Sequence, residues 1–281
     1  MGSHHYTIEK ENLRSELPTN KERCNIMNMF ETIFSRKSIR SFYQEIIDWE
    51  IIEDILKFAD GLPMLTKDIE VEFKLISNIE KNQGFNGPFA VKAPYYISLS
   101  SEMKDDYLLN AGYLMQQLSL YIEAKGLGTC FLGAASPGWP LKNTMKYDYV
   151  IALAFGKSKE PLYRDSVLAK RSPENELVIY KEEVSPDVRK MLDAARLAPS
   201  AYNTQPWRFV VYKNRIHIFV KKNPWFVRPL DKLKMIDIGI MLANMTIAAE
   251  ELWVDIKLSK SDAMISKSLR NNEYVLTVLI G

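Results

Sequence analysis

The sequence predicts an α+β protein built from two tandem copies of one helix-and-strand unit, and two observations lead to this prediction. Shifting the chain by 136 positions lays residues 55–78 over 191–214 without a gap and matches five identical residues in twenty-four, including Pro63 with Pro199. The order of elements also repeats, since each half shows an amphipathic helix, a strand, a long apolar helix and a final strand. Two copies packed through their long helices would form an intrachain pseudo-dimer.

Composition is typical of an ordinary globular protein. The 281 residues are 47% hydrophobic and 26% charged, with a net charge of +2. This balance gives no reason to expect a nucleic-acid partner, and no apolar run approaches the roughly 20 residues that span a bilayer. Cys24 and Cys130 lie far apart and form neither a metal motif nor a disulfide framework. We therefore expect a reduced, cytoplasmic protein without a membrane partner.

The first copy starts near Met29 with a short amphipathic helix. A second helix follows Asp48, which we expect to cap it. The helix at 106–125 is apolar almost all round and should be buried. Alternating or continuous apolar residues predict the strands, at 71–75, 95–99, 129–132 and 150–155.

A charged connector at 157–175 leads to the second copy. Ser185, followed by a proline, should cap its first helix. The long apolar helix recurs at 235–252 and the final strand at 274–281. His217 alternates with apolar neighbours in a strand, so we expect its side chain to face outward.

The chain therefore divides into three parts. Residues 1–26 form a polar tail whose MGSHH start is typical of an expression-tag remnant. Residues 27–160 form the first repeat. Residues 161–281 form the second repeat, which we expect to pack intimately on the first.

A basic segment, SRKSIRSF, follows the first short helix. Arg36, Lys37 and Arg40 surround Ser38 within about one turn of chain. Two guanidiniums and a hydroxyl this close could clamp a terminal phosphate, because arginine presents a donor fork that matches phosphate oxygens. The alternative is a solvated basic turn without a ligand.

A polar turn, APSAYNTQPW, joins the first helix of the second copy to its first strand. Pro199 ends the helix, and the polar residues from Ser200 to Gln205 then offer hydroxyls, amides and backbone N–H groups on a rigid support. Such a support suits a flat polar ligand. The alternative is a simple connection made of common turn residues.

Both polar segments survive in only one copy. The aligned pairs are Arg36 with Ser172, Arg40 with Glu176, Ser200 with Met64 and Asn203 with Lys67. A symmetric dimer would have two equivalent sites, each combining the basic segment of one copy with the polar turn of the other. Arg36, Arg40, Ser200 and Asn203 all belong to one of these sites, and their aligned partners belong to the other. Structural remnants should erode at random, so this one-sided loss indicates selection for a single bound ligand.

These segments, together with GLGTCFLG after the first long helix, resemble the FMN-dependent nitroreductase family. The tandem layout resembles members in which one chain holds both halves of the usual homodimer. The resemblance covers roughly residues 29–281. It implies a nitroreductase-like fold of mixed β-sheets flanked by helices, with FMN at the interface between the two copies.

The resemblance also implies which residues hold the flavin, and it implies no protein catalytic residue and no metal. The phosphate end would be held by Arg36, Lys37, Ser38, Arg40, Lys170 and Arg171. The ring would lie against Asn86, Phe131, Leu132, Gly133 and Ala134. The second copy would contribute Pro199, Ser200, Ala201 and Asn203.

The implied activity is an NAD(P)H-dependent FMN oxidoreductase. NAD(P)H would reduce the flavin, and a small electron-poor acceptor such as a nitroaromatic or a quinone would then reoxidise it. Flavin carries this chemistry, so the absence of GxSxG, HExxH and GxGxxG motifs is consistent with it. A monomer is expected, because the pseudo-dimer covers its own interface.

Two other function classes stay open at the level of sequence. A flavin-binding carrier or sensor would be yellow but would not be bleached by NAD(P)H. A cofactor-free interaction module on the same fold would be colourless. Related families that cleave flavins or dehalogenate tyrosines carry lid residues that are not recognisable here.

Overall fold

Two long helices, one from each copy, pack against each other at the centre of the fold in the computed structural model of the chain. The structure describes residues 5–6, 28–79, 85–87, 90–222, 231–260 and 269–281. Most of the predicted tail at 1–26 lies outside the described residues. The helices are α1 (Met29–Ser35), α2 (Trp49–Asp60), α3 (Tyr107–Ala124), α4 (Trp139–Lys142), α5 (Glu174–Leu177), α6 (Pro186–Arg196) and α7 (Asp231–Glu251).

The strands form three sheets. They are β1 (His5–Tyr6), β2 (Val71–Ser77), β3 (Phe85–Asn86), β4 (Tyr95–Ser101), β5 (Gly128–Phe131), β6 (Ser136–Pro137), β7 (Asp148–Gly156), β8 (Val178–Tyr180), β9 (Trp207–Tyr212), β10 (Arg215–Lys221), β11 (Ile256–Ser259) and β12 (Asn272–Ile280). One sheet has the order β1-β11-β12-β10-β9-β8, the second has the order β2-β4-β7-β5, and β3 pairs with β6. Only the β8–β9 pair is parallel among the described pairs.

The strand order is the same in the two copies. In the first copy, β4 lies between β2 and β7, and β5 completes the sheet beyond β7. In the second copy, β10 lies between β9 and β12, and β11 follows β12. The long helix α3 connects β4 to β5, and α7 connects β10 to β11 in the same way. The chain therefore has the predicted α+β fold of mixed sheets flanked by helices, and the matching strand orders agree with the predicted tandem layout.

The central helices meet at two glycines in reciprocal positions. A Cβ atom on Gly112 would lie 2.0 Å from the carbonyl oxygen of Ile236, and one on Gly239 would lie 2.0 Å from the carbonyl oxygen of Leu109. Ile236 lies three residues before Gly239, and Leu109 lies three residues before Gly112. Each glycine therefore makes the same contact with the opposite helix. Such a contact has the geometry of an isologous dimer interface within one chain.

Helix caps account for some of the element boundaries. Asn28 accepts a hydrogen bond from the Glu31 amide in a capping box before α1, and Ser185 caps α6 as predicted. Asp48 occupies the N-cap position of α2 as predicted, but its side chain makes no capping hydrogen bond. The Asp48 carbonyl instead accepts from the Ile51 and Ile52 amides.

Residues 71–75 of β2 form a strand as predicted, and all five are half-buried. One burial prediction was wrong. His217 is buried rather than outward-facing, since the rings of Tyr212 and Tyr274 pack against it. Its Nδ1 hydrogen-bonds the Thr277 hydroxyl at 2.7 Å. Burial, with a smaller effect of Arg215, lowers the pKa of His217.

None of the described helices has the length and apolar composition needed to cross a membrane. Among the described residues, no group of three or more His, Cys, Asp or Glu side chains is arranged to hold a metal ion.

Candidate functional site

The turn after α6 has an unusual backbone. Within a short 3₁₀ segment and the residues after it, Tyr202, Asn203 and Gln205 have φ values of 53°, 57° and 46°. Non-glycine residues in this left-handed region are strained by about 1–3 kcal/mol each and persist only where their surroundings hold them. The corresponding turn at 62–69, which the structure describes throughout, has no residue with positive φ. The strain belongs to the second copy alone.

Hydrogen bonds hold the strained turn from inside and from α7. The Ala201 amide donates to Asp237 Oδ1 at 2.9 Å, and the Gln205 amide donates to the Ser200 hydroxyl at 2.9 Å. Pro199 is buried beneath the turn. Ser200 therefore acts as an internal brace for the turn.

The connector between the copies holds the other side of the turn. Asn203 donates from Nδ2 to the Lys170 carbonyl at 2.9 Å and accepts from Arg171 Nη1 at 3.0 Å. Arg171 also donates through Nε and Nη2 to the Leu197 carbonyl near the end of α6. The structure thus brings Lys170, Arg171 and Asn203 together. The donors of Arg171 are already used within the protein.

Arg36 lies in the core. Its side chain is 2% exposed, and its Nε pairs with Glu123 Oε1 of α3 at 3.0 Å. Glu123 also accepts from the Ser119 and Thr129 hydroxyls. Burial raises the pKa of Glu123, and the Arg36 charge opposes this rise. Arg36 Nη2 is buried and has no hydrogen-bond partner within the described part of the chain.

Arg164 lies beside Arg36 and was missed by the sequence analysis. Its amide donates to the Ser35 carbonyl at 2.8 Å, and the neighbouring Tyr163 forms a β-bridge with Arg36. Its half-buried guanidinium has no hydrogen-bond or ion-pair partner among the described residues. Burial, and next the charge of Arg36, lowers the pKa of Arg164.

Several guanidiniums share this region. Burial lowers the pKa of Arg171 to about 10, and repulsion from Arg36, Arg164 and Arg196 adds to the shift. Arg196 pairs with Asp193 at 2.7 Å, and Glu123 pairs with Arg36. The cluster therefore keeps an excess of positive charge around the unpartnered Nη2 donor of Arg36. This arrangement suits an anion such as phosphate.

The rest of the basic segment points elsewhere. α1 ends at Ser35, Arg36 has extended backbone angles, and residues 37–41 have no regular secondary structure. Lys37 Nζ pairs with Glu160 at 3.0 Å, and the Arg40 amide donates to the same carboxylate at 3.3 Å. The expected clamp is therefore divided. The guanidinium of Arg36 and the ammonium of Lys37 pair with different carboxylates, and only the backbone amide of Arg40 contacts Glu160.

The segments predicted to face the flavin ring meet one another in the first copy. Asn86 pairs with Ser136, and a Cβ atom on Gly87 would lie 2.8 Å from the Ala134 carbonyl oxygen. Phe131 ends β5, and the Leu132 amide continues the ladder by donating to the Ala152 carbonyl at 2.9 Å. Asn86 and Ala134 therefore belong to one loop cluster.

α7 connects this loop cluster to the strained turn. A Cβ atom on Gly133 would lie 3.6 Å from the Leu233 side chain, and Asp237 one helical turn later binds Ala201. Residues four apart on a helix lie on one face, about 6 Å apart along its axis. Segments of both copies therefore dock on the same face of α7, as expected of a site between two halves.

An open groove of about 640 Å³ lies along α6. It is lined by Glu174, Val178, Pro186, Arg189, Lys190, Leu192, Asp193 and Arg196. None of the predicted flavin-binding residues lines it. Only Arg196 relates it to the arginine cluster, so we place the site at the cluster and the turn, where unsatisfied donors and backbone strain coincide.

Two of the missed residues had a signal in the sequence. Glu123 and Asp237 are acidic residues inside helices that are otherwise apolar almost all round. Buried carboxyl groups are rare unless they are paired, so such residues indicate a polar contact. Arg164 had no such signal, because it lies in a connector with many charges.

Comparison with known proteins agrees with this fold. Residues 28–249 match the family described as "Putative TM nitroreductase". A putative nitroreductase from Thermotoga maritima MSB8 is 22% identical over 90% of this chain and 94% of its own, with a TM-score of 0.61. No curated protein matches the chain.

Shorter solved structures match about half of the chain. A nitroreductase family protein from Clostridium novyi NT is 22% identical over 47% of this chain and 88% of its own, with a TM-score of 0.40. An FMN-dependent nitroreductase from Clostridium difficile R20291 is 23% identical over 49% of this chain and 92% of its own, with a TM-score of 0.38. The family match covers most of the chain and the fold agrees with it, so the chain belongs to the "Putative TM nitroreductase" family of oxidoreductases.

Proposed function

We propose that this protein is an FMN-dependent oxidoreductase that takes electrons from NAD(P)H and passes them to a small electron-poor acceptor, such as a nitroaromatic or a quinone. The observation that carries the proposal is an asymmetry between the copies. The strained turn at Ser200–Gln205 occurs only in the second copy, and it lies beside a cluster of arginines in which Arg36 Nη2 is buried without a partner in the described structure. One such site per chain supports one flavin per chain.

The arginine cluster fits the phosphate of FMN. A phosphate group would supply acceptors for Arg36 Nη2 and for the Arg164 guanidinium, neither of which has a partner for these donors in the described structure. It would also balance the charge that burial disfavours in Arg164 and Arg171. Ser38, Lys37 and Arg40 remain predicted contacts on the more exposed side of the same segment.

The turn and the loop cluster fit the ring. Asn86, Gly133 and Ala134 would contact it from the first copy, and Ser200 and Ala201 from the second. FMN, when bound, supplies the hydride and electron chemistry. The chain supplies position, because it holds the turn by bonds from α7 and from the connector. Lys170, Arg171 and Asn203 support the turn through one another.

The pseudo-dimer also bears on the assembly of the protein. The two central helices bury the face that two separate subunits would share, through contacts as close as those of Gly112 and Gly239. We therefore infer a monomer that acts in the cytoplasm on small molecules, without nucleic-acid or membrane partners.

An absorbance spectrum of the purified protein, followed by anaerobic addition of NADH and of NADPH, tests the proposal. We expect one FMN per chain, bleaching by at least one of the two nucleotides, and recovery of the colour when a quinone is added. A yellow protein that neither nucleotide bleaches would indicate a carrier or sensor. A protein that stays colourless after incubation with FMN, or that binds two flavins, would contradict the proposal.

Replacing Arg164 by alanine should weaken FMN binding by about 10- to 100-fold, since hydrogen bonds to a charged group are worth about 1.5–3 kcal/mol. Stability should change little, because the guanidinium has no partner in the described structure. Arg189→Ala is the matched control, as Arg189 stacks on Tyr180 in the separate groove. Titration with FMN measures both variants. Equal affinities would remove Arg164 from the site.

A further inference from the structure

Each copy docks its turn on its own long helix through one equivalent hydrogen bond. In the first copy the Leu65 amide donates to Asn110 Oδ1 at 3.0 Å. In the second copy the Ala201 amide donates to Asp237 Oδ1 at 2.9 Å. Asn110 and Asp237 each lie two residues before the glycine at the crossing of the helices. The two bonds therefore occupy the same place in the pseudo-dimer.

The two acceptors differ only in their second polar atom. Asp237 is 3% exposed, and its Oδ2 is buried without a hydrogen-bond partner in the described structure. Asn110 is fully buried, and its Nδ2 also lacks a partner there. A protonated carboxyl group and an amide have nearly the same shape, so a neutral Asp237 can replace the asparagine without repacking. An ionised Asp237 cannot, because it would place a charge in the core.

No counter-charge compensates an ionised Asp237 within the described structure. The titratable groups on the surrounding elements have other partners: Tyr113 bonds Thr246, Glu123 pairs with Arg36, Arg196 pairs with Asp193, Lys234 pairs with Asp231, and Arg171 binds Asn203. Burial accordingly raises the pKa of Asp237 to about 8, although the Ala201 amide opposes the shift. This environment therefore favours the protonated form of the carboxyl group.

The conformation of the strained turn depends on the protonation state of Asp237. Tyr202, Asn203 and Gln205 keep left-handed backbone conformations only while the turn is anchored at both ends. Asp237 supplies the anchor on α7, and the connector supplies the other. If Asp237 ionises, the free-energy cost of its buried charge falls when the turn moves away from α7 and water reaches the carboxylate. A relaxed turn would no longer present Ser200 and Ala201 to a ligand.

We propose that Asp237 is the positioning residue of the ligand-binding turn and that it holds the turn as a neutral carboxylic acid, so that ionisation of Asp237 releases the turn. This inference rests on the proposed flavin site. It assigns to the two copies different behaviour with pH, because the equivalent residue Asn110 does not titrate.

The test compares FMN affinity between pH 7 and pH 9.5 in the wild type, Asp237→Asn and Asn110→Asp, by quenching of flavin fluorescence. For the wild type we expect FMN to bind about 30-fold more weakly at pH 9.5, because only the protonated fraction is competent and it falls tenfold per pH unit. Asp237→Asn should retain the affinity of pH 7 at both values. Asn110→Asp should keep the wild-type profile of FMN binding.

A second measurement separates this proposal from the flavin assignment. Hydrogen exchange of the amides at 201–205, corrected for the intrinsic rate at each pH, reports on the turn without any flavin. Protection should fall above pH 8 in the wild type and stay constant in Asp237→Asn, whereas Asp237→Ala should lack it at every pH. If FMN never binds but this pattern holds, the proposed function is wrong, whereas the proposal that ionisation of Asp237 releases the turn is supported. Equal pH profiles of turn protection in the wild type and Asp237→Asn would overturn the proposal.

Discussion

Replacing Arg36 by methionine together with Glu123 by leucine should give a folded protein that has lost most of its affinity for FMN. The two residues form a buried ion pair, and apolar residues of similar volume often replace such pairs without loss of stability. Ser119 and Thr129 would keep the hydrogen bond that they form with each other at 2.8 Å. We expect about 100-fold weaker FMN binding, because the Nη2 donor of Arg36 and its guanidinium charge are both removed.

The single variant Arg36→Ala should behave differently. It leaves Glu123 buried without its partner, so we expect a loss of about 3–5 kcal/mol in the free energy of unfolding. Thermal unfolding and FMN titration of the two variants separate folding from binding. The exposed pair Lys157–Glu45 is the control, since its replacement by Met and Leu should affect neither. Retention of FMN by the stable double variant would exclude Arg36 from the phosphate site.

Replacing Gly112 or Gly239 by alanine should destabilise the protein by about 3 kcal/mol, because overpacking a tight interface is costly. Each new Cβ atom would lie 2.0 Å from a backbone carbonyl oxygen on the opposite helix, and a backbone atom cannot move aside as a flexible side chain can. For a chain of this size the melting temperature should fall by roughly 5–10 °C. Calorimetry or circular dichroism measures this change.

The reciprocal geometry makes this prediction specific. The two variants should lose similar stability, since each glycine makes the same contact seen from the other copy. Gly61→Ala serves as the control, because its φ is −93° and the nearest atom to a new Cβ is 3.7 Å away. A melting temperature of Gly112→Ala equal to that of Gly61→Ala would mean that the central helices do not meet at these glycines.

Periodicity accounts for the parts of the fold that could be predicted. The repeat, the two buried helices and most strands follow from apolar spacing, which reports burial along one element. Asp48 and His217 show where this reasoning stops. Whether Asp48 caps its helix depends on side-chain geometry, and whether His217 faces water depends on the tyrosines that cover that face.

The candidate site shows the same division. The basic segment and the polar turn were visible as residue types, and their one-sided loss pointed to one site per chain. Their partners were not visible, because contacts such as Arg36 with Glu123 and Ala201 with Asp237 join residues that are far apart in sequence. The residue roles assigned to flavin binding stay predictions until FMN binding is measured.

The sequence by itself determined the α+β class of this chain and predicted a tandem pseudo-dimer with one set of ligand-binding segments, since apolar periodicity and residue identity are local properties. Only the tertiary structure decided where the charges go. It buried Arg36 against Glu123, paired Lys37 with Glu160, and left the Arg164 guanidinium without a hydrogen-bond or ion-pair partner in the described structure. Charges interact through space, so their pairing depends on how the two copies and the connector pack.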